Sequence, residues 1–273
     1  MKRSLGEIIN LSKKYESEEL SFQEIKWLIE ATLNIQEYQL ISDRNEEFDV
    51  EILFERLEKA RHVPTAYILN ECMFLGNVFY VDNNVLIPRN ETEELVLLVK
   101  DFILKHNLEK VKVCDIGTGS GCIAISLKKD INSLNMTAVD ISMDALKVAK
   151  KNALKLHQDI KFVQSDCFDA LINDFEIVVS NPPYIDKNNF VHKRVLNNEP
   201  HLALFADNKG LSVCEKILLS CSLNQNLKGI FFEISPEQID DLKHLGLKYL
   251  PTFEFNVYKD MNGFERFVSY IKN

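Results

Sequence analysis

A short turn at residues 181–184 combines the residue types that can hold a planar amino group. It reads Asn181-Pro182-Pro183-Tyr184 and follows the apolar run 175–179. Each proline fixes φ and lacks an N–H, and the residue before a proline is held extended, so the turn is stiff. It offers a side-chain amide and the Pro182 carbonyl as acceptors, beside an aromatic ring. The alternative interpretation is a rigid loop without a chemical role.

A glycine-rich loop lies earlier in the chain, directly after an apolar strand pattern at 111–116. Glycines let a backbone turn tightly and let a ligand approach closely, and a helix that begins there offers free N–H groups. The third glycine comes one residue earlier than in the Gly-x-Gly-x-x-Gly loop of dinucleotide sites. This spacing is typical of S-adenosylmethionine sites. The predicted cofactor-binding residues of the loop are Gly117, Thr118, Gly119, Ser120 and Gly121.

Two later strand ends carry acidic residues that suit the same ligand. Strand pattern 135–140 ends at Asp140, where a carboxylate can accept both ribose hydroxyls of an adenosine. The alternative for Asp140 is an ordinary residue before a helix cap. Strand pattern 160–164 leads to Asp166, a candidate acceptor for the adenine amine, and to Cys167 or Phe168, either of which could cover the adenine face.

Together these groups suit methyl transfer to an amide or exocyclic amine. A methyl sulfonium is already activated, so the reaction mainly needs a nucleophile aligned at ~3–3.5 Å. Acceptors at Asn181 and the Pro182 carbonyl would orient the nitrogen lone pair and stabilise charge that develops on it. Tyr184 can stack on the planar group. The sequence offers no obvious general base, and His192 and His201 are interpreted as incidental.

Composition limits the function classes. The chain has 273 residues, 46% of them hydrophobic and 27% charged, and a net charge of −9. An acidic chain without a basic run argues against nucleic acid as the main partner. No apolar stretch reaches the ~20 residues of a membrane span, and the first residues do not read as a secretory signal, so we expect a cytoplasmic protein. We also expect a monomer. The six cysteines show no zinc-ligand spacing, and neither a metal site nor disulfides are expected.

Apolar periodicity predicts two domains of different class. Residues 1–70 read as a helical bundle, with a capping box at Ser21–Glu24 and a second apolar stripe from Val50 to Leu57. Residues 71–86 read as a β-hairpin linker with a Gly76-Asn77 turn. Residues 87–273 alternate strands and helices, which predicts a Rossmann-like, doubly wound, mostly parallel seven-stranded sheet.

The individual elements of the larger domain follow from the same patterns. Beyond the patterns that end at 116, 140 and 164, strands are predicted at 175–180, 228–234, 247–258 and 264–271. Helices are predicted at 120–130, 142–155, 208–222 and 235–245, the last opening with Ser235-Pro236. Another helix is expected after Asn90, with Asn90 as its cap and Glu93 at the third position. The last two strands are close in sequence, so we expect them to pair antiparallel at one edge.

The two motifs together resemble the amino-methyltransferases of class I fold. Over essentially its full length the chain resembles the protein-(glutamine-N5) methyltransferases of peptide chain release factors, the HemK/PrmC family. The most specific shared pair is the Pro-Arg-x-x-Thr-Glu segment, residues 88–93, with the Asn-Pro-Pro-Tyr turn. Further matching segments are 64–69, 165–166 and 199–204.

The resemblance implies a function for each domain. The helical domain is expected to help dock a release factor, and the second domain to methylate N5 of the glutamine in its Gly-Gly-Gln loop, using S-adenosylmethionine. Carried over by position, the cofactor would contact 117–121, Asp140, Cys167 and Asn181, and the substrate amide would meet Asn181, Pro182, Pro183 and Tyr184. Two departures matter: Cys167 replaces a larger side chain, and Asn70 replaces a glycine.

Three alternatives remain open from the residues alone. A DNA adenine-N6 methyltransferase uses a similar turn on a flipped base, but needs a basic channel. A glutamine methyltransferase that acts on a ribosomal protein would be chemically identical. A non-catalytic cofactor-binding protein would not need the intact acceptor turn.

Overall fold

The computed structural model describes residues 1–42, 44–186 and 189–272. Contacts divide the chain into two compact units, the first formed by Met1–Glu71 with Val191–Asn198 and the second by Cys72–Phe190 with Glu199–Asn273. Within the described residues, no helix is both long and apolar enough to cross a membrane.

The strands are β1 (Lys2–Ser4), β2 (Glu47–Asp49), β3 (Glu71–Phe74), β4 (Asn77–Tyr80), β5 (Lys112–Ile116), β6 (Asn135–Asp140), β7 (Lys161–Gln164), β8 (Ile177–Ser180), β9 (Gly229–Glu233), β10 (Phe253–Lys259) and β11 (Glu265–Lys272). The helices are α1 (Leu5–Ser12), α2 (Phe22–Leu33), α3 (Gln39–Ser42), α4 (Glu51–Ala60), α5 (Thr65–Leu69), α6 (Asn90–Lys105), α7 (Cys122–Asp130), α8 (Met143–Lys155), α9 (Lys193–Asn198), α10 (His201–Leu204), α11 (Asp207–Gly210), α12 (Ser212–Cys221) and α13 (Ile239–Tyr249). Short 3₁₀ turns occupy Lys13–Tyr15 and Pro236–Gln238.

The first unit is built mainly from amphipathic helices. The capping box of α2 forms: the Ser21 hydroxyl accepts from the Glu24 N–H at 3.3 Å, and the Glu24 carboxylate accepts from the Ser21 N–H at 3.2 Å. The apolar stripes of α2 and α4 are buried against each other. The unit also contains an antiparallel pair, β1 with β2, that the sequence pattern did not reveal. Both strands are only three residues long, too short for an alternating pattern to stand out.

Helix α9 groups with this first unit through one buried arginine. The Arg194 guanidinium donates to the Glu24 carboxylate at 3.0 Å and to the Val63 carbonyl at 3.2 Å, and it also donates to the Glu19 carbonyl. Its side chain is only 9% exposed. Charge-assisted bonds of this kind stabilise a buried guanidinium better than neutral ones would.

The second unit contains the predicted seven-stranded sheet, in the order β10-β11-β9-β8-β5-β6-β7. Strands β7, β6, β5, β8 and β9 are parallel, and β11 pairs antiparallel with β9 and β10. Alternate residues of the parallel strands are buried in two apolar clusters, one with α6 and α7 and the other with α12 and α13. Strands β5, β6, β8 and β9 are buried on both faces, which explains why they read as apolar runs. The edge strand β7 is only partly buried.

The β3–β4 hairpin forms, but its turn lies one residue earlier than predicted. Leu75 and Gly76 are the turn residues, with φ of 44° and 69°, whereas Asn77 already belongs to β4. Positive φ at both central positions gives the hairpin turn whose twist matches its strands. Glu93 accepts the Leu75 N–H at 2.6 Å and so helps to hold the left-handed leucine.

Two other local predictions are wrong. Asn90 does not cap α6: it is the first helical residue, Arg89 is the N-cap, and no side chain caps that end. Glu93, expected at the cap, serves the hairpin turn instead. The strand predicted at 247–258 begins only at Phe253, because α13 continues to Tyr249 and packs Leu242 and Gly246 into the core.

Candidate functional site

The sheet reverses its winding between β5 and β8, and the candidate site lies at that point. From β5 the chain moves outward to β6 and β7, then returns to β8 on the other side of β5. A crevice opens at the carboxyl ends of the strands at such a switch point. It forms a cavity of about 780 Å³, within the ~300–1,000 Å³ typical of small-molecule sites.

The glycine loop is held by the neighbouring strand. The N–H groups of Gly117 and Thr118 both donate to the Val139 carbonyl, at 2.8 and 2.9 Å. Gly117 and Gly119 have φ of 72° and 53°, and within the described residues no atom beyond their chain neighbours lies within 4 Å of the place a Cβ would take. The loop therefore requires glycine for its backbone, and the same glycines leave free space beside the cavity.

Asp115 and Thr118 form a buried pair under this loop. The Thr118 hydroxyl donates to Asp115 Oδ2 at 2.6 Å, so it points back toward the strand end. Asp115 is fully buried, and burial raises its pKa to about 7. Hydrogen bonds from the Thr118 hydroxyl and from the Ala124 backbone, in the first turn of α7, oppose this rise.

Asp140 is bonded to backbone on both sides of its carboxylate. Oδ2 accepts the Gly119 N–H at 2.9 Å, and Oδ1 accepts the Ser142 N–H at 2.8 Å. Burial nevertheless raises the pKa of Asp140, since desolvation outweighs these bonds. Each oxygen keeps a further lone pair, so the carboxylate is oriented and can still accept two hydroxyl groups.

Asp166 and Cys167 also border the cavity, whereas Phe168 does not. Asp166 pairs with Lys216 at 2.8 Å. Cys167 has φ of 52°, and burial raises the pKa of its thiol to about 12. The Phe168 ring packs against Phe175 inside the core, with centroids 6.1 Å apart. Of the two candidates for the adenine face, only Cys167 lines the cavity.

The Asn181 side chain reaches a hydrogen-bonded chain that sequence reasoning missed. Its Nδ2 donates to Thr92 Oγ1 at 3.0 Å, and the Thr92 hydroxyl donates to Glu233 Oε2 at 2.7 Å. Thr92 lies in the first turn of α6, and Glu233 ends β9. Burial is the main cause that raises the pKa of Glu233 to about 7. A sequence signal for Glu233 existed: it is an acidic residue that closes the apolar run 229–232.

The turn at 181–184 is supported from outside the cavity. The Tyr184 carbonyl accepts from Gln238 Nε2 at 3.3 Å, and the Ile185 N–H donates to the Leu204 carbonyl at 3.0 Å. Gly210, with φ of 81°, packs so closely that a Cβ there would lie 2.1 Å from the Tyr184 oxygen. Neither Gly210 nor Gln238 was identified from sequence, since their role depends on contact with a distant turn.

An ion pair joins segments 86–89 and 199–203, which flank the cavity. Arg89 donates to Glu199 Oε1 at 2.6 Å, and Glu199 Oε2 accepts the Ile87 N–H at 3.2 Å. The Glu199 side chain is 1% exposed. This pair fixes 86–89 against 199–203, both of which contribute to the cavity wall.

Most of the predicted site residues come together at the cavity. Those that line it are Gly117, Thr118, Gly119, Ser120, Asp140, Asp166, Cys167, Asn181 and Pro183. Gly121, Pro182 and Tyr184 are not part of its lining. Gly121 packs against Ala149 of α8, and burial raises the pKa of the Tyr184 hydroxyl to about 12. In the described ranges, no group of three or more His, Cys, Asp or Glu side chains could hold a metal ion.

Comparison with known proteins identifies the family. The family model "Methyltransferase small domain" matches residues 96–203. The chain is 38% identical over 266 residues to the release factor glutamine methyltransferase of Streptococcus pneumoniae, an alignment that covers 96% of this chain and 93% of that protein. The chain belongs to the release factor glutamine methyltransferase family. The chain is also similar to two further family members. The one from Staphylococcus aureus is 38% identical to it, over 76% of this chain and 75% of that protein. The one from Bacillus subtilis is 39% identical, over 75% of this chain and 74% of that protein.

Solved structures share the fold at low sequence identity. The hMettl16 catalytic domain in complex with MAT2A 3′UTR hairpin 1 gives a TM-score of 0.58 at 15% identity, covering 92% of this chain and 91% of that chain. The Thermus thermophilus 16S rRNA N2 G1207 methyltransferase in complex with AdoMet and guanosine gives a TM-score of 0.52 at 14% identity, covering 74% of this chain and 50% of that chain. The class I methyltransferase fold expected from the sequence is therefore confirmed.

Proposed function

We propose that this enzyme transfers a methyl group from S-adenosylmethionine to the side-chain amide nitrogen of the glutamine in the Gly-Gly-Gln loop of peptide chain release factors. The observation that carries the chemistry is a single cavity that brings the glycine loop and Asp140 together with Asn181. Family membership supplies the identity of the acceptor protein. The acidic chain, with a net charge of −9, supports a protein substrate over a nucleic acid.

The residues present fit S-adenosylmethionine. Gly117 and Gly119 leave room where side chains would stand, and Asp140 is oriented to accept hydroxyl groups. We propose cofactor contacts at residues 117–120, Asp140, Asp166, Cys167 and Asn181, all of which line the cavity. Gly121, also expected to contact the cofactor, packs against Ala149 instead. The cofactor supplies an activated methyl group when bound.

The acceptor side requires two hydrogen-bond acceptors and a rigid backbone. An amide nitrogen is a weak nucleophile because its lone pair is delocalised. We propose that Asn181 Oδ1 and the Pro182 carbonyl accept its two N–H bonds, which would direct the lone pair and stabilise positive charge on nitrogen. Pro183 keeps the turn stiff, and Tyr184 anchors it through its carbonyl contacts.

The division into a release-factor docking unit and a catalytic unit is part of this proposal. We propose residues 1–70 as the docking domain, 71–86 as the hairpin between the domains, and 87–273 as the methyltransferase domain. A monomer in the cytoplasm is the expected form.

The proposal is tested by incubating the protein with labelled S-adenosylmethionine and a release factor. A release factor with Gln→Ala in the Gly-Gly-Gln loop is the control. We expect label on the intact loop and none on the control, with mass spectrometry placing the methyl group on the glutamine side chain. Equal labelling of both proteins, or label on DNA or on a ribosomal protein instead, would contradict the proposal.

A further inference from the structure

Asn181 has to present its oxygen, and not its NH₂ group, to a substrate amide. The two ends of an asparagine amide are nearly equal in size, so shape alone does not choose between them. A flipped amide would place two N–H donors opposite the two N–H donors of a glutamine side chain. Some neighbouring group must therefore decide the orientation.

We propose that Thr92 and Glu233 are positioning residues that fix the Asn181 amide with its oxygen toward the acceptor site. This inference rests on the proposed function and concerns how the same site holds its substrate. The relevant contacts are the 3.0 Å bond from Asn181 Nδ2 to Thr92 Oγ1 and the 2.7 Å bond from Thr92 Oγ1 to Glu233 Oε2.

The number of hydrogens on each group decides which way the Thr92 hydroxyl points. A threonine hydroxyl has one hydrogen, and a carboxylate has none. The Thr92 hydrogen therefore points at Glu233, and only lone pairs face Asn181. Those lone pairs attract the Asn181 NH₂ group and repel its oxygen. Among the described residues, Oδ1 of Asn181 has no other donor, so it remains available as an acceptor.

Burial of Thr92 and Glu233 keeps water from stabilising the flipped orientation of the Asn181 amide. Thr92 is 2% and Glu233 1% exposed, so bulk water cannot replace either partner. The pairing register supports the same geometry: Ser180 lies opposite Phe232, which places Asn181 and Glu233 at adjacent ends of β8 and β9. A buried network with every hydrogen assigned specifies one arrangement.

Protonation of Glu233 would undo the assignment. A protonated carboxyl can donate to Thr92 Oγ1, which frees the Thr92 hydrogen for Asn181 Oδ1 and allows the flipped amide. The charged groups around Glu233 are Arg89 and Glu91 at the start of α6 and Arg266 of β11, with the Tyr184 hydroxyl nearby. Burial and Glu91 raise the pKa of Glu233 to about 7, against the Thr92 hydrogen bond and the two arginines, which lower it. Turnover should therefore fall as the pH decreases through about 7.

The test compares Thr92→Val with Thr92→Ser in the full-length protein. Valine keeps the size but removes the hydroxyl, whereas serine keeps the hydroxyl. For Thr92→Val we expect kcat on a release factor to fall by about 10- to 100-fold, somewhat less than the ~10²–10³ for a lost direct contact to a transition state. The dissociation constant for S-adenosylmethionine, measured by calorimetry, should stay within about threefold. Thr92→Ser should restore kcat to within a few-fold of wild type. Equal losses in both variants, or cofactor binding that weakens in step with kcat, would overturn the inference.

A second variant and a spectroscopic readout guard against a trivial folding defect. Glu233→Gln keeps the packing, but its amide can either donate or accept a hydrogen bond at Thr92. At pH 8 its kcat should therefore be lower than that of wild type. Its kcat should also lack the decline below about pH 7 that wild type shows. In ¹⁵N-asparagine-labelled protein, the Asn181 NH₂ signals, assigned by their loss in Asn181→Asp, should be protected from solvent exchange in wild type and Thr92→Ser but not in Thr92→Val. This readout needs no turnover, so an inactive wild type would refute the proposed function while the orientation is still decided. Protection unchanged in Thr92→Val would refute the positioning role.

Discussion

The contact between Gly210 and Tyr184 makes a specific prediction about the acceptor turn. In Gly210→Ala, the new Cβ would lie 2.1 Å from the Tyr184 oxygen and 2.6 Å from its carbonyl carbon. Both atoms belong to the backbone, so the turn itself must move. The strain has two parts: about 1–2 kcal/mol for alanine at φ of 81°, and about 1–3 kcal/mol for overpacking. We therefore expect the free energy of unfolding to fall by about 2–5 kcal/mol.

The catalytic effect should be larger than the stability effect suggests. Relief of the clash requires a shift of roughly 1 Å, because heavy atoms of this kind do not approach closer than 3.0 Å. A misplacement of about 1 Å can reduce turnover by ~10²-fold. The assay is release-factor methylation under saturating substrates, together with thermal unfolding of the same samples. Binding of S-adenosylmethionine should change little, because the glycine loop is held separately by β6.

Gly263→Ala provides a matched control. Gly263 also has a positive φ, 85°, but apart from its chain neighbours no atom in the part of the chain that the structure describes lies within 4 Å of its Cβ position. This variant should show the conformational cost alone, about 1–2 kcal/mol, with turnover near wild type. If both variants lost the same stability and neither lost turnover, the support of the turn by Gly210 would be refuted.

Three further predictions concern single side chains. Asn181→Ala should leave the dissociation constant for S-adenosylmethionine within a few-fold of wild type and lower kcat by at least ~10²-fold; a loss of only a few-fold would show that Asn181 is not the acceptor. Glu233 has a pKa raised to about 7 from its ordinary 4.5, so its contribution to stability is present below pH 4.5 and is lost as the pH rises through 7. The free energy of unfolding, measured with denaturant, should therefore fall in wild type between pH 5 and pH 8 but not in Glu233→Gln. The variant should gain stability relative to wild type over this range, and a constant difference would contradict this. Arg194→Ala should lower stability by about 1–3 kcal/mol, because it removes the arginine donor from Glu24 Oε1 and from the Glu19 and Val63 carbonyls. Arg61→Ala, which breaks an exposed pair with Glu58, should cost less than about 1 kcal/mol. Similar losses in both variants would show that the buried arginine contributes no more than a surface pair.

The sequence by itself determined the sheet and the two loops at its switch point. Strands β5, β6, β8 and β9 are buried on both faces, so they appear as apolar runs, and these runs end at Gly117, Asp140, the Asn181-Pro182 turn and Glu233. Because parallel strands meet at one edge, the loop at 117–121, Asp140 and Asn181 could be assigned to one site without coordinates. Local capping was predicted well at Ser21, where both partners lie within four residues of each other.

Only the tertiary structure decided which side chains face the cavity and which hold others in place. Asn90 looked like a helix cap, but the start of α6 instead supplies Thr92 to Asn181 and Glu93 to the hairpin. Glu233 is 141 residues from Thr92, and their bond depends on β9 lying beside β8. Contacts between distant segments leave no periodic signal in either one. For the turn at 181–184, the residue types came from the sequence, and the orientation of its amide came from the fold.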